Sequence, residues 1–268
     1  MYMNPYLYAA IGIFFIFFCT TLGSSFVFFF LKKEISLKVN QIFLGFAAGI
    51  MLSASVFSLI VPSLEMEISY LPSWTVSGVA VLLGAFFLWG IDKLVPHFHV
   101  EQNKEEGLPS RVSKTAKMFL AVTIHNIPEG LSVGISFGVA LAKMTPDSQT
   151  GLLLSSLMLA IGIGIQNIPE GAVVSLPIKG ETGNSSKAFW FGTLSGAVEP
   201  IAAIFGLFLA YFIEPIMPWA LSFAAGCMLY VIAEEMIPDA KGDPTSHSGV
   251  WAFIAGFVLM MSLDVALS

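Results

Sequence analysis

The chain has 268 residues, of which 56% are hydrophobic and 11% are charged, and its mean hydropathy is +0.83. A soluble domain carries about 25% charged residues, so this composition indicates a polytopic membrane protein and argues against a soluble one. The net charge of −6 supplies no basic surface, which excludes nucleic acid as a partner.

Eight apolar runs follow one another along the chain, each close to the roughly 20 residues that a membrane helix needs. They cover residues 6–31, 40–61, 73–95, 117–141, 151–177, 189–213, 219–238 and 248–266. All eight are predicted to be helical, because backbone polar groups in lipid must pair within their own segment. The short alternating segments of a β-barrel are absent. The sequence therefore predicts an all-α protein with a single transmembrane domain.

The basic residues lie almost entirely on one side of these spans. Only Lys143 falls on one side, and the other eleven lysines and arginines fall on the opposite side: Lys32, Lys33, Lys38, Lys93, Lys104, Arg111, Lys114, Lys117, Lys179, Lys187 and Lys241. Because short loops rich in basic residues stay in the cytoplasm, both termini are predicted to lie outside and the loop 96–116 inside. His97 and His99 in this loop could deliver or sense a metal, or the loop could be a solvated linker.

Two short motifs each occur twice. Residues 124–130 (IHNIPEG) return as 165–171 (IQNIPEG), and residues 46–52 (FAAGIML) return as 223–229 (FAAGCML). The members of each pair lie in spans that cross the membrane in opposite directions. This pattern predicts an inverted repeat of three, two and three helices, with a substrate site near the midplane, as in many transporters.

Each copy of the first motif presents polar side chains on one side of its helix. His125 and Glu129 are four residues apart, as are Gln166 and Glu170, so each pair shares a helix face. The proline in each copy lacks a backbone N–H and therefore frees the carbonyl group four residues earlier. An asparagine stands three residues before each glutamate, at Asn126 and Asn167. Two polar stripes are thus predicted to face each other at one depth.

Three more glutamates lie within the predicted spans, namely Glu199, Glu234 and Glu235. With the two motif glutamates they make five carboxylates beside one imidazole, and no lysine or arginine stands next to them. An unpaired ionised carboxylate costs several kcal/mol in a low dielectric. A bound divalent metal would neutralise this charge, and protonation of the carboxylates is the competing explanation.

The ligand types narrow the identity of the metal. One imidazole with several carboxylates and amides suits Zn²⁺, Fe²⁺ or Mn²⁺. Cu⁺ is disfavoured because Cys19 and Cys227 lie in separate runs, where they are predicted to be buried packing residues. Mg²⁺ would not need the histidine. Exchangeable carboxylates favour transport of the metal over a structural or sensory site.

At these residues the chain resembles the ZIP (Zrt/Irt-like) family of divalent-metal transporters. The Gln-Asn form of the second motif is most similar to the GufA-like branch. The resemblance implies eight helices with both termini outside, a homodimer in the cell membrane, and no enzymatic activity or prosthetic group. It also implies that zinc, or alternatively iron, manganese or cadmium, is taken up into the cytoplasm by alternating access. The matching elements are His125-Asn126-x-Pro128-Glu129-Gly130, Gln166-Asn167-x-Pro169-Glu170-Gly171, Glu199-Pro200 and Glu235-Met236-Ile237-Pro238.

The resemblance further implies a set of metal ligands, in some members for two ions. The first ion would be held by His125, Glu129, Gln166, Glu170 and Met51, and the second by Asn126, Asn167, Glu170 and Glu199, with Glu235 close by. Two departures alter this set. Asn167 is the neutral choice at a position where Asp or Asn often stands, which weakens the second position. Glu234 stands where a histidine often does, which replaces an imidazole of the predicted site with a carboxylate.

Two other functions remain open from the residues alone. An intramembrane metallopeptidase needs a metal-activated water and a general base, commonly within HExxH, whereas this chain has His-x-x-x-Glu and a single histidine in its spans. A proton or cation channel that titrates its carboxylates is the second alternative.

Overall fold

The structure is a computed structural model that describes residues 4–29, 36–66, 68, 70–99, 104–109, 111, 113–142, 146–241 and 246–267. Within these ranges, eight helices are long and apolar enough to cross a membrane, which confirms the predicted all-α membrane protein. We label them α1 (Pro5–Phe28), α2 (Leu37–Glu65), α3 (Ser73–Leu94), α4 (Lys114–Ala142), α5 (Pro146–Thr182), α6 (Ser185–Phe212), α7 (Met217–Ala240) and α8 (Ser248–Leu267).

Most helix ends lie within a few residues of the predicted runs, and α5 is the exception. Its predicted run covers 151–177, whereas the helix has 37 residues. The added turns contain polar residues such as Gln149, Lys179 and Glu181. Apolar composition marks the part of a helix that lies in lipid, so it does not report hydrogen-bonded turns that continue beyond the hydrocarbon core.

Two helices contain π-helical segments at related positions, and these segments were not predicted from the sequence. The segment in α2 is Ala54–Ile60, and the segment in α7 is Ile232–Met236. A proline follows each segment within two residues, at Pro62 and Pro238. Because proline cannot donate a hydrogen bond to the carbonyl four residues earlier, the regular α-helical pattern is interrupted there. The FAAG motif precedes both segments, so the two helices share a break as well as a motif.

The most extensive helix contacts follow the predicted inverted repeat. They join α4 with α6, α2 with α8, α1 with α5, and α3 with α7. In a 3+2+3 repeat, α2 corresponds to α7, α3 to α8, α1 to α6, and α4 to α5. The α2–α8 contact is then equivalent to α7–α3, and α1–α5 is equivalent to α6–α4, as expected for such repeats.

These contacts divide the protein into two groups of four helices. One group contains α1, α4, α5 and α6, and the other contains α2, α3, α7 and α8. The two groups meet chiefly where α2 contacts α5 and where α4 contacts α7. Both copies of the IHNIPEG-type motif belong to the first group, and both copies of the FAAG motif belong to the second.

Glycines of the FAAG motif allow the second group to pack closely. A Cβ at Gly49 would meet the carbonyl oxygen of Phe253 in α8, and a Cβ at Gly226 would meet that of Val81 in α3. Gly49 and Gly226 occupy the same position in the two copies. Each therefore lets the backbone of its helix approach the equivalent neighbour, which is the usual role of small residues between membrane helices.

The buried interior agrees with the cysteine prediction. Cys19 and Cys227 are free and buried, in α1 and α7 respectively. The thiol of Cys227 donates to the backbone carbonyl of Gly84 in α3, with sulfur and oxygen 3.2 Å apart. Neither thiol therefore needs a metal or disulfide partner to account for its burial.

A short antiparallel ribbon lies between α3 and α4. Strand β1 (His97–His99) pairs with β2 (Lys104–Glu106), with His97 opposite Glu106, and β1 packs against α4. Three-residue strands are too short to show an alternating pattern, which explains why the sequence did not predict them. The side chains of His97 and His99 lie outside the described part of the structure, so a metal-binding role for this loop stays a prediction.

Candidate metal site

The glycine that ends each IHNIPEG-type motif brings a neighbouring helix close. A Cβ at Gly130 would meet the backbone carbonyl of Glu199 in α6, and a Cβ at Gly171 would meet that of Thr20 in α1. Since α1 and α6 are equivalent in the repeat, the two motifs have equivalent neighbours at their glycines. This packing brings Glu199 and Thr20 next to the motifs.

The two copies of the motif are in direct contact through a glutamine and a glutamate. Gln166 Nε2 donates to Glu129 Oε1 at 2.5 Å and to Asn167 Oδ1 at 2.8 Å. Gln166 and Asn167 are fully buried, and Glu129 is 1% exposed. A carboxylate of α4 and an amide of α5 thus meet inside the protein, away from water.

Both motif asparagines converge on one carboxylate, that of Glu199. Asn126 Nδ2 donates to Glu199 Oε1 at 2.9 Å, and Asn167 Nδ2 donates to Glu199 Oε2 at 2.9 Å. Thr20 Oγ1 adds a third donor to Oε1 at 2.8 Å. Glu199 is fully buried, so these three neutral donors from α1, α4 and α5 stabilise its carboxylate where water does not reach.

Backbone carbonyls hold the two asparagines in the same orientation. Asn126 Nδ2 also donates to the carbonyl of Ser195 at 3.3 Å, and Asn167 Nδ2 also donates to that of Ile16 at 3.5 Å. Ser195 is in α6 and Ile16 is in α1, so the equivalent helices again contact equivalent asparagines. The amide nitrogens therefore face α6 and α1, and the amide oxygens face the other way.

The histidine pairs with a glutamate of the other helix group. His125 Nε2 lies 2.6 Å from Glu235 Oε1, which joins α4 to the π-helical segment of α7. Glu235 is buried, whereas the adjacent Glu234 is exposed. The structure thus brings one of the two consecutive glutamates to the predicted site residues and leaves the other at the surface.

Met51 and Glu170 are the remaining predicted ligands of the first metal ion. Met51 is 1% exposed in α2, the helix of the second group that contacts α5, and it belongs to the main hydrophobic core. Glu170 is partly buried, and its Oε2 atom is shielded from solvent.

Four buried oxygen atoms of the two motifs have no hydrogen-bond donor within the described residues. They are Asn126 Oδ1, Glu129 Oε2, Gln166 Oε1 and Glu170 Oε2. A carboxylate can only accept, so the amide nitrogens turn toward the carboxylates and leave the amide oxygens on the opposite side. A buried acceptor without a donor costs about 1–3 kcal/mol. A cation bound to these oxygens would remove that cost, since all four are metal-ligating atoms.

Within the described residues, no three His, Cys, Asp or Glu side chains are arranged to hold a metal ion together. The imidazole of His125 is engaged with Glu235, and one oxygen of Glu129 is engaged with Gln166. A metal ion at this position would therefore replace the His125–Glu235 contact and take amide oxygens among its ligands.

Thr20 of α1 also belongs to this cluster of buried polar residues around Glu199, and it was not predicted from the sequence. Its hydroxyl also donates to the carbonyl of Ile16 at 3.3 Å, four residues earlier in the same helix. Threonines in membrane helices commonly make that local hydrogen bond. A threonine in an apolar run therefore carries no sequence signal that it also contacts a distant carboxylate.

Comparison with known proteins gives matches over nearly the whole chain. The family described as ZIP Zinc transporter matches residues 6–117 and 115–264. The zinc transporter ZIP11 of Homo sapiens is 35% identical over 97% of this chain and 97% of its own length. The zinc transporter GufA of Myxococcus xanthus is 34% identical over 88% of this chain and 90% of its own length. The zinc transporter ZupT of Corynebacterium aurimucosum is 34% identical over 85% of this chain and 86% of its own length.

Proposed function

The chain belongs to the ZIP family of zinc transporters, and we propose that it carries Zn²⁺ across the membrane toward the cytoplasm. The observation that carries this proposal is the set of four oxygens on α4 and α5 that have no donor within the described part of the chain. They come from both copies of the repeated motif and lie inside the membrane-spanning bundle. Buried acceptors of this kind suit a cation that enters and leaves, because no basic side chain next to them in sequence neutralises them permanently.

The ligands of the ion are proposed to be His125, Glu129, Gln166 and Glu170, with Met51 and Asn126 as further contacts. The carboxylates supply charge, and the imidazole supplies a nitrogen ligand that Zn²⁺ binds well. Because His125 contacts Glu235, the latter would be released to the vicinity of the ion when the imidazole binds it. The relatives named above are zinc transporters, which favours zinc over iron, manganese or cadmium.

Transport by alternating access is supported by the division into two helix groups. The proposed ligands on α4 and α5 belong to one group, and Met51 and Glu235 belong to the other. Movement of the first group against the second would expose the ion to one side of the membrane and then to the other. A homodimer and a location in the cell membrane are proposed on the family resemblance.

Zinc uptake into proteoliposomes containing the purified protein tests this function. Wild-type protein is expected to transport Zn²⁺, whereas His125→Ala and Glu170→Ala are expected to abolish the flux. Glu65→Gln, which changes an exposed carboxylate at the end of α2, is the matched control and should transport normally.

The same preparation separates the alternative functions. Cleavage of a membrane peptide without zinc flux would overturn the proposal in favour of a metallopeptidase. Flux of protons or monovalent cations without zinc flux would overturn it in favour of a channel.

A further inference from the structure

Glu199 differs from the other buried carboxylates of the cluster in its hydrogen bonding. Both of its oxygens accept hydrogen bonds, Oε1 from Thr20 and Asn126, and Oε2 from Asn167. By contrast, Glu129 and Glu170 each retain an oxygen that has no donor among the described residues. Within the described residues, the donor-free oxygens thus belong to Glu129, Glu170, Gln166 and Asn126, and none belongs to Glu199 itself.

Of the two asparagines that donate to Glu199, Asn167 also has its oxygen occupied, whereas Asn126 Oδ1 has no donor within the described residues. Asn167 donates through Nδ2 to Glu199 and accepts through Oδ1 from Gln166 Nε2. An amide N–H repels a cation, so the two asparagine amides in this orientation oppose an ion beside Glu199. An ion beside Glu199 would require both asparagine amides to turn away from it.

We propose that Glu199 is an anchor for hydrogen bonds and not a metal ligand, so that the cluster holds one metal ion. Thr20 is a positioning residue in this arrangement. A continuous network runs from Thr20 to Glu199, then to Asn167, Gln166 and Glu129. By fixing each amide in turn, it directs the oxygen of Gln166 toward the ion. This inference rests on the proposed function, since it assumes that the four free oxygens bind zinc.

The number of zinc ions bound per chain tests the proposal directly. We suggest titrating purified protein with Zn²⁺ by calorimetry and counting the bound metal by mass spectrometry. The parent protein for these measurements carries His97→Ala and His99→Ala, so that the loop histidines cannot bind zinc. The parent protein is expected to bind one ion. Asn167→Asp removes the N–H donor beside Glu199 and adds a carboxylate, so it is expected to bind two. Glu199→Gln is expected to weaken binding but to keep one ion.

The role of Thr20 is tested by a matched set of variants. Thr20→Val removes the hydroxyl and is expected to raise the dissociation constant for zinc about tenfold. A change of this size corresponds to the loss of one hydrogen bond to a charged group. Thr20→Ser should restore it. Thr21→Val is the control, because the neighbouring Thr21 hydroxyl has no partner within the described residues.

The outcomes distinguish this inference from the proposed function. Two ions in the parent protein, one of which is lost in Glu199→Gln, would overturn the single-ion proposal while leaving zinc transport intact. A folded Asn167→Asp protein with only one ion would also overturn it, as would equal effects of Thr20→Val and Thr21→Val. A parent protein that neither binds nor transports zinc would overturn the proposed function itself.

Discussion

At the scale of single residues, the two copies of the motif differ in their first polar position. His125 contacts Glu235 of the other helix group, whereas Gln166 contacts Glu129 of its own group. The two helices therefore contribute different ligands. Helix α4 offers the imidazole nitrogen of His125, which contacts the other helix group, and α5 offers the amide oxygen of Gln166, whose side chain contacts its own group. This asymmetry is where selectivity among metals is expected to arise.

Replacing the histidine with the residue of the second copy tests this asymmetry. His125→Gln is expected to lower zinc uptake at least tenfold and to lower manganese uptake less, because imidazole suits Zn²⁺ whereas carboxylate, carbonyl and water ligands suit Mn²⁺. Competition between the two metals in proteoliposomes measures the change. An equal loss for both metals would show that His125 serves folding or gating instead of selectivity.

Acidification should reduce zinc uptake. The ligands must be deprotonated to bind metal, so protons compete with zinc for Glu129, Glu170 and His125. At fixed free zinc, the initial rate is expected to fall as the external pH is lowered from about 7 to about 5.5, with a rise in KM at unchanged maximal rate. Uptake that increases on acidification would contradict this and would indicate that protons drive transport.

The arrangement of the cluster residues could be predicted only for residues that are close together in the sequence. The spacing of His125 and Glu129, and of Gln166 and Glu170, follows from helix geometry. The convergence of Asn126 and Asn167 on Glu199 does not, because it depends on how α6 and α1 pack against the motif glycines. The contrast between buried Glu235 and exposed Glu234 has a similar origin, since it depends on which side of α7 packs against α4.

At the scale of helices, the FAAG glycines of α2 and α7 should be equally sensitive to substitution. Gly49→Val and Gly226→Val each force a side chain against a backbone carbonyl of the adjacent helix. Overpacking of this kind costs about 1–3 kcal/mol, so both variants should melt at a lower temperature in detergent. Gly78→Val in α3 is the control, because a Cβ there meets no atom of the described residues within 4 Å.

Equal destabilisation by Gly49→Val and Gly226→Val is what the inverted repeat predicts. If Gly226→Val were as stable as Gly78→Val while Gly49→Val were not, the two glycines would not have equivalent roles. The inverted repeat would then be a likeness of sequence without a likeness of packing.

The helices show which features apolar length can predict. It predicted eight spans, because each must cover the hydrocarbon core. It did not predict the π-helical segments, although Pro62 and Pro238 marked the places where regular hydrogen bonding must fail. A proline indicates an interruption but does not say whether the helix kinks, widens or ends, and packing against neighbouring helices decides between them.

At the scale of the whole molecule, the repeat produces two helix groups from one pattern. The equivalent contacts α1–α5 and α6–α4 form one group, and α2–α8 and α7–α3 form the other. The repeated motifs predicted the relation between the halves. They could not predict which four helices form each group, because the order of helices in the chain does not specify which of them pack together.

The direction of transport depends on the orientation of these groups in the membrane, which the basic residues predict. Lys143 lies between α4 and α5, and Lys187 lies near the start of α6, on the opposite side. A membrane-impermeant maleimide applied to intact cells is expected to label Lys143→Cys but not Lys187→Cys. The native thiols should not interfere, since Cys19 and Cys227 are buried. Labelling of Lys187→Cys alone would invert the orientation, and the uptake proposed above would become export.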